Sequence, residues 1–190
     1  MLLFGGILWN LGITFGLLGI LDGHMNSHEM LEMPNEVWPL LFVSYTIISC
    51  MVIVMHRSRK SHVTIAPQWF ILASLLWFPA LFIIAWNGLE INPARGTVQS
   101  VLSMWFGQSL IWLWLTPFAL GVAYYVIPAI IGKPIDKYYL AIFGFWCIAT
   151  LAPWSVVHHL EGGPVPMWIP AIGTVMSIAM IFPIPVASTN

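Results

Sequence analysis

Two adjacent histidines, His158 and His159, close the run Trp154-Ser155-Val156-Val157-His158-His159-Leu160-Glu161, which follows a long apolar segment. Imidazole is scarce in and beside bilayers, and where it occurs it usually faces a protein interior or a cavity. Two neighbouring imidazoles can share a transition metal such as copper, iron or zinc. They can equally be a solvated pair at a helix end, and local spacing alone leaves both readings open. Gln108 is a second polar group in apolar surroundings, about one turn into its segment from the same side. A buried amide is costly without partners, so it either bonds a neighbouring helix or faces a metal or haem. A third cluster, Asp22-Gly23-His24-Met25-Asn26-Ser27-His28-Glu29-Met30-Leu31-Glu32, packs two histidines and three acids into eleven residues. Carboxylates suit calcium or magnesium and imidazole suits transition metals, while a wet polar loop would have the same composition. Glu90 lies in another such turn, Asn87-Gly88-Leu89-Glu90-Ile91-Asn92-Pro93.

The elements that position these groups are set by composition. Of 190 residues, 59% are hydrophobic and 7% charged, and the mean hydropathy is +0.89. A soluble domain carries about a quarter charged residues, so most of this surface must face lipid. The net charge of −1 gives no handle for nucleic acid. Cys50 and Cys147 both fall inside apolar runs and read as small hydrophobes, not as a disulfide framework. A bilayer core needs about 20 apolar residues per helix, and six stretches meet that, roughly 2–21, 38–55, 68–86, 100–131, 138–157 and 168–187. The expected fold is therefore an all-α polytopic helix bundle with six spans in one membrane domain. Residues 2–21 lack a basic flank and a small-residue cleavage site and read as a retained helix. The fourth span is long enough to bend, and Pro117 offers the place. Its Trp105, Trp112 and Trp114 serve as anchors or packing, with Trp112 and Trp114 deep enough to line a pocket.

The Lys and Arg residues are Arg57, Arg59, Lys60, Arg95, Lys133 and Lys137, and all but Arg95 lie in the second-to-third and fourth-to-fifth connections. The positive-inside rule places those connections in the cytoplasm. His56 and His62 flank the first of them and belong among headgroups. Six spans then bring both termini to the cytoplasm and His158 and His159 to the outer side.

The order of motifs resembles a known family. Trp105-Phe106-Gly107-Gln108, Ala123-Tyr124-Tyr125-Val126-Ile127-Pro128 and Gly132-Lys133-Pro134 resemble one helix of the catalytic subunit of haem–copper oxidases of the cytochrome cbb class, and of the related nitric oxide reductases. That helix carries Trp-Tyr-Gly-His, a Tyr-Tyr-Phe-Val-Pro run and Gly-Arg-Pro. The next helix is similar through Phe145-Trp146 and Trp154 to His158-His159-Leu160. Ser27-His28-Glu29 with Glu32, Asn87-Gly88-Leu89-Glu90-Ile91 and Trp9-Asn10 resemble the family's Ser-Lys-Glu…Glu loop, its Asn-Asn-Leu-Glu-Ile and the Trp-Gln that opens its third helix. The likeness runs in one register over essentially the whole chain, from the third to the opening of the eighth of about twelve helices.

The resemblance implies that His158 and His159 are two of three imidazole ligands of a non-haem metal, copper in the oxidases and iron in the nitric oxide reductases. It implies that Trp105 and Trp154 border the cofactors, that Glu29 holds a calcium ion near haem propionates, and that Glu32 and Glu90 are supporting or proton-handling acids. Gln108 stands at the third ligand position, where the family has histidine. Ala152 aligns with the oxidases' cross-linked tyrosine and Trp112 with the nitric oxide reductases' glutamate. The haem b groups, low-spin and high-spin, are ligated in the family from helices outside the matched region. The resemblance thus implies a split gene product or a fragment of a larger subunit, completed by companion membrane chains and served by a cytochrome c-type electron donor in a prokaryotic inner membrane. The expected activity is reduction of nitric oxide or a related small molecule. The alternatives are a cbb-type terminal oxygen reductase and a haem-binding electron-transfer subunit without catalysis.

Overall fold

The computed structural model describes residues 1–60, 64–183 and 185–186. Among these the secondary structure is helical throughout, with no strand. The helices are α1 Leu2–Leu21, α2 Trp38–Arg57, α3 Ala66–Trp86, α4 Thr97–Ser109, α5 Thr116–Ile131, α6 Tyr138–Ser155 and α7 Trp168–Ala179. In hydrocarbon each backbone N–H and C=O must find its partner within the chain, and an uninterrupted helix does this segment by segment. Five helical stretches are long and apolar enough to cross a membrane, and they match the first five expected spans. α4 and α5 form one of them, Thr97–Ile131, joined by a π turn at Leu110–Leu115. His62 lies outside the described residues.

The sixth expected span, over 168–187, begins with α7, which has 12 residues, about 18 Å at 1.5 Å per residue; residues 183, 185 and 186 are again helical, and 184 and 187 lie outside the described residues. The chain leaves α7 through tightened turns, with Met180 N donating to both Met176 O and Ser177 O.

Proline shapes other spans. Thr116 N bonds Ile111 O, a wide i to i−5 turn ending one residue before Pro117. Asn92 N bonds Asn87 O at 2.7 Å in the same way, one residue before Pro93, and closes the π turn Asn87–Ile91 that continues α3. In both places the proline cannot supply the next helical donor, and the turn widens ahead of it. The bend expected at Pro117 therefore takes the form of a π turn.

α1 packs along α2, α3 along α5, and α6 along α7, and the short segment after α6 lies against α4 and α7. The α1–α2 approach depends on glycine. A methyl placed on Gly5 would lie 2.8 Å from Ile48 Cγ1, and one on Gly12 2.5 Å from Leu41 Cδ2. Small residues are how membrane helices come close. The core is aromatic. Tyr45 and Phe78 lie 4.3 Å apart between ring centres, Phe78 and Trp114 4.5 Å, and Trp77 stacks on Phe145 at 5.7 Å. Trp114 donates its indole N–H to the Tyr45 hydroxyl at 2.8 Å. Its depth thus reflects packing.

Cross-links sort the connections by end. His28 faces Glu90 at 3.8 Å and Thr97 Oγ1 donates to Pro164 O at 3.2 Å, which gathers the connections after α1, α3 and α6 at one end. Tyr138 donates its hydroxyl to Thr64 O at 2.8 Å, which joins the connections after α2 and α5 at the other. The second pair carries five of the six Lys and Arg residues, so the two ends differ in charge as the sequence suggested.

Candidate functional site

The imidazole pair is positioned by a change of helix type. Pro153 lies in the last turn of α6, and the next residues, Val156–Leu160, tighten into a 3-10 turn. Val156 and Val157 are buried within it, His158 is half-buried and His159 exposed. The rings stand 4.1 Å apart between centres and 32° apart in plane. Nδ1 of His158 hydrogen-bonds the Ser155 carbonyl. A carbonyl only accepts, so Nδ1 carries a proton, and in the neutral imidazole Nε2 is then the nitrogen with the lone pair. That is the usual way a backbone group fixes the tautomer of a metal-binding histidine.

α7 holds this turn from the other side. Gly173 is buried where α7 meets Val157 and His158. A methyl there would lie 2.8 Å from the Val157 carbonyl carbon, 2.9 Å from Val157 Cγ2 and closer still to the His158 backbone nitrogen. Beside the turn is an apolar cavity of about 400 Å³ lined by Val101, Trp105, Pro153, Trp154, Val157, Trp168, Ile169 and Ile172. Trp105 and Trp154, picked from separate helices, converge on it. Trp168, Ile169, Ile172 and Gly173 were missed. A helical glycine in an apolar run was a signal for Gly173, and the cavity walls gave none.

Gln108 is half-buried near the end of α4. Ser109, next to it, is wholly buried, and among the described residues its hydroxyl has no hydrogen-bond partner. An unpaired buried hydroxyl is uncommon in a folded chain. Trp112 is partly buried against the core, and Ala152 is fully buried. The loop over 22–32 approaches this region through Glu29, exposed, whose carboxyl carbon would be 3.4 Å from a methyl on Gly107.

The other polar groups of the connections at this end pair among themselves. His28 and Glu90, each 14% exposed, approach to 3.8 Å. Asn35 donates to Glu90 Oε2 at 2.8 Å and receives Asn26 Nδ2 at 2.7 Å. Glu32 accepts the Met30 N–H at 3.1 Å, and His24 turns to Asp22 at 3.3 Å in solvent. Asn35 was missed, since a single loop asparagine carries no pattern.

The residues can be tested against a shared metal by geometry. Two imidazoles each bound through nitrogen at about 2 Å, at bond angles of about 90–110°, hold their ring centres about 4.5–5 Å apart, and the observed 4.1 Å is slightly closer than that. Among the described residues no group of three His, Cys, Asp or Glu is assembled. The pair therefore fits as two donors of a site whose remaining donors are an amide or come from elsewhere.

A family profile described as Cytochrome C and Quinol oxidase polypeptide I matches residues 1–190. The chain is 26% identical to the cbb3-type cytochrome c oxidase subunit CcoN1 of Stutzerimonas stutzeri, over 92% of this chain and 38% of the relative. It is 28% identical to a cytochrome c oxidase subunit 1 homolog of Agrobacterium tumefaciens (95% and 36%), and 25% identical to cytochrome c oxidase subunit 1 of Rhodobacter capsulatus (92% and 34%). It thus spans a little over a third of the length of these relatives. With a match over its whole length and membrane-spanning helices to go with it, the chain belongs to the cytochrome c and quinol oxidase polypeptide I family.

Proposed function

We propose that this chain forms part of the catalytic subunit of a membrane haem–copper oxidoreductase, with His158 and His159 as two donors to its non-haem metal, copper or iron. The observation that carries the reading is the imidazole pair, with rings 4.1 Å apart and Nδ1 of His158 bonded to the Ser155 carbonyl. Gln108 offers the third donor, an amide oxygen that suits iron better than copper. When bound, haem b and the second metal supply electron delivery and activation of a small molecule. The chain's own residues hold the two imidazoles in place from Ser155 and Gly173, and wall the neighbouring cavity with Trp105 and Trp154 so that water is excluded. Glu29 gives one carboxylate to a calcium ion completed by groups outside this chain. Companion membrane chains supply the haem ligands, a cytochrome c-type subunit supplies electrons, and the basic end faces the cytoplasm.

Nitric oxide, or a related small molecule, is the substrate this reading favours. Reducing nitric oxide needs no phenolic donor, and the position of the oxidases' tyrosine holds the buried methyl of Ala152. A second reading, oxygen reduction by a cbb-type enzyme, draws on the names of the relatives, which are cytochrome c oxidase subunits. The purified complex decides between them. The expected result is haem b absorption, one non-haem metal per subunit and turnover of nitric oxide. Turnover of oxygen alone reverses the substrate, and haem without a non-haem metal leaves an electron-transfer subunit without catalysis.

A further inference from the structure

At the basic end, away from the histidines, a cavity of about 330 Å³ opens where α3, α5 and α6 meet. Its walls include Ile65, Pro67, Pro128 and Ile135, with the exposed rings of Tyr125 and Tyr138 beside them. The volume falls in the range of about 300–1,000 Å³ typical of small-ligand pockets. A charged soluble molecule would gain nothing from such walls.

The surroundings have the opposite character. Gly132, at φ 72°, reverses the chain after α5. This folds Pro134 and Ile135 into the cavity wall and leaves exposed Lys133 at the reversal. Lys137 and Tyr138 follow at the start of α6. The Tyr138 hydroxyl on Thr64 O brings the connection bearing Arg57, Arg59 and Lys60 to the same place. Arg59 donates to Thr64 Oγ1 at 2.8 Å and Gln68 Oε1 at 3.0 Å, and so braces the entry to α3. Asp136 is the one acid in these two connections. An apolar slot rimmed by tyrosines under a cluster of cations is complementary to one kind of molecule found at this depth, a lipid with a negative headgroup.

We propose that this slot holds an acyl chain of an anionic phospholipid, whose phosphate lies against Lys133 and Lys137. The proposal is independent of the substrate and of the metal at the other end of the bundle.

The test uses the intact complex in nanodiscs of phosphatidylcholine carrying a trace of spin-labelled phosphatidylglycerol or spin-labelled phosphatidylcholine. Phosphatidylglycerol is expected to show the larger motionally restricted fraction. The double variant Lys133→Ala/Lys137→Ala is expected to lower its relative affinity about fivefold per lysine, with the haem spectrum and thermal midpoint unchanged. Equal restriction of the two lipids, or selectivity that survives the double variant, overturns the proposal. Glycerol phosphate at millimolar concentration is expected not to compete, and competition would assign the lysines to a free phosphate site. A photo-crosslinker, Tyr125→p-benzoylphenylalanine, is expected to yield an adduct of phospholipid mass in native membranes, and an adduct with a protein helix instead refutes the occupant.

Discussion

Gly173→Ala tests the packing that seats the histidine pair. The added methyl would stand 2.8 Å from the Val157 carbonyl carbon, whereas carbon atoms rest at about 3.5–4.0 Å. A gap of at least about 0.7 Å must open, and more at the His158 nitrogen, which lies nearer. No flexible side-chain end can yield, because the obstruction is the backbone of the 3-10 turn itself. The whole of α7 or the whole turn must move. Forcing an extra carbon into a packed site costs about 1–3 kcal/mol, and the absence of a soft neighbour puts this case towards the upper end. For a chain of this length that lowers the thermal midpoint by about 5–10 °C. On the proposed role of the pair, displacement by about 1 Å can cost on the order of a hundredfold in rate, so turnover of the complex should fall at least about tenfold while haem absorption persists. Gly6→Ala is the matched control, since nothing lies within 4 Å of its added methyl. Scanning calorimetry and electron paramagnetic resonance of the non-haem metal on the purified complex read both effects. If Gly173→Ala keeps the wild-type midpoint, metal signal and turnover, α7 does not seat the turn that carries His158 and His159.

Three further substitutions probe the polar contacts. Tyr45→Phe removes the acceptor of the Trp114 indole N–H in the core, and an orphaned buried donor costs about 1–3 kcal/mol; denaturant or thermal unfolding should register the loss, and an unchanged midpoint would mean the bond is not made. Glu90→Ala breaks the approach to His28 and the bond from Asn35, which joins two loops 55 residues apart. Both side chains of the pair are largely buried, so the loss should be about 1–2 kcal/mol, accompanied by faster hydrogen exchange over 26–37 that mass spectrometry can follow. Ser109→Ala deletes a buried hydroxyl that has no partner among the described residues. Its midpoint should stay level or rise, and a fall of several degrees in the complex would reveal a partner supplied by another chain or a cofactor.

The spans were legible because their cause is local. Hydrocarbon forbids unpaired backbone, so every long apolar run has one available form, and five runs adopt it. The sorting of connections between two ends was legible for the same reason, from where Lys and Arg fall. The sixth run is helical over Trp168–Ala179 and passes through turns at 180–182, a local change of form that hydropathy does not register. The site was legible only as residue types. His158, His159, Trp105 and Trp154 could be named from order and kind, but the Ser155 carbonyl on Nδ1 depends on the 3-10 turn, and the glycine contact depends on α7 returning to it. The pairing of His28 with Glu90 and Asn35 needed the fold as well, since these residues meet across separate loops.

The prolines connect the legible part to the illegible one. Pro117, Pro93 and Pro153 each stand at or beside a departure from α geometry: the π turns ending at Thr116 and Asn92, and the 3-10 turn after Ser155. Such departures change the rotation of everything that follows. A π turn inserts extra arc and a 3-10 turn removes it. The direction of His158 and His159 relative to α4 therefore depends on two opposite corrections, one in the fourth span and one at the end of the fifth. Neither correction alters hydropathy, so neither shows in the apolar pattern. The consequence is that the imidazoles' heading is a property of proline placement, and a chain with the same spans but an unbroken helix through 110–117 would present Gln108 and Trp105 to a different neighbour.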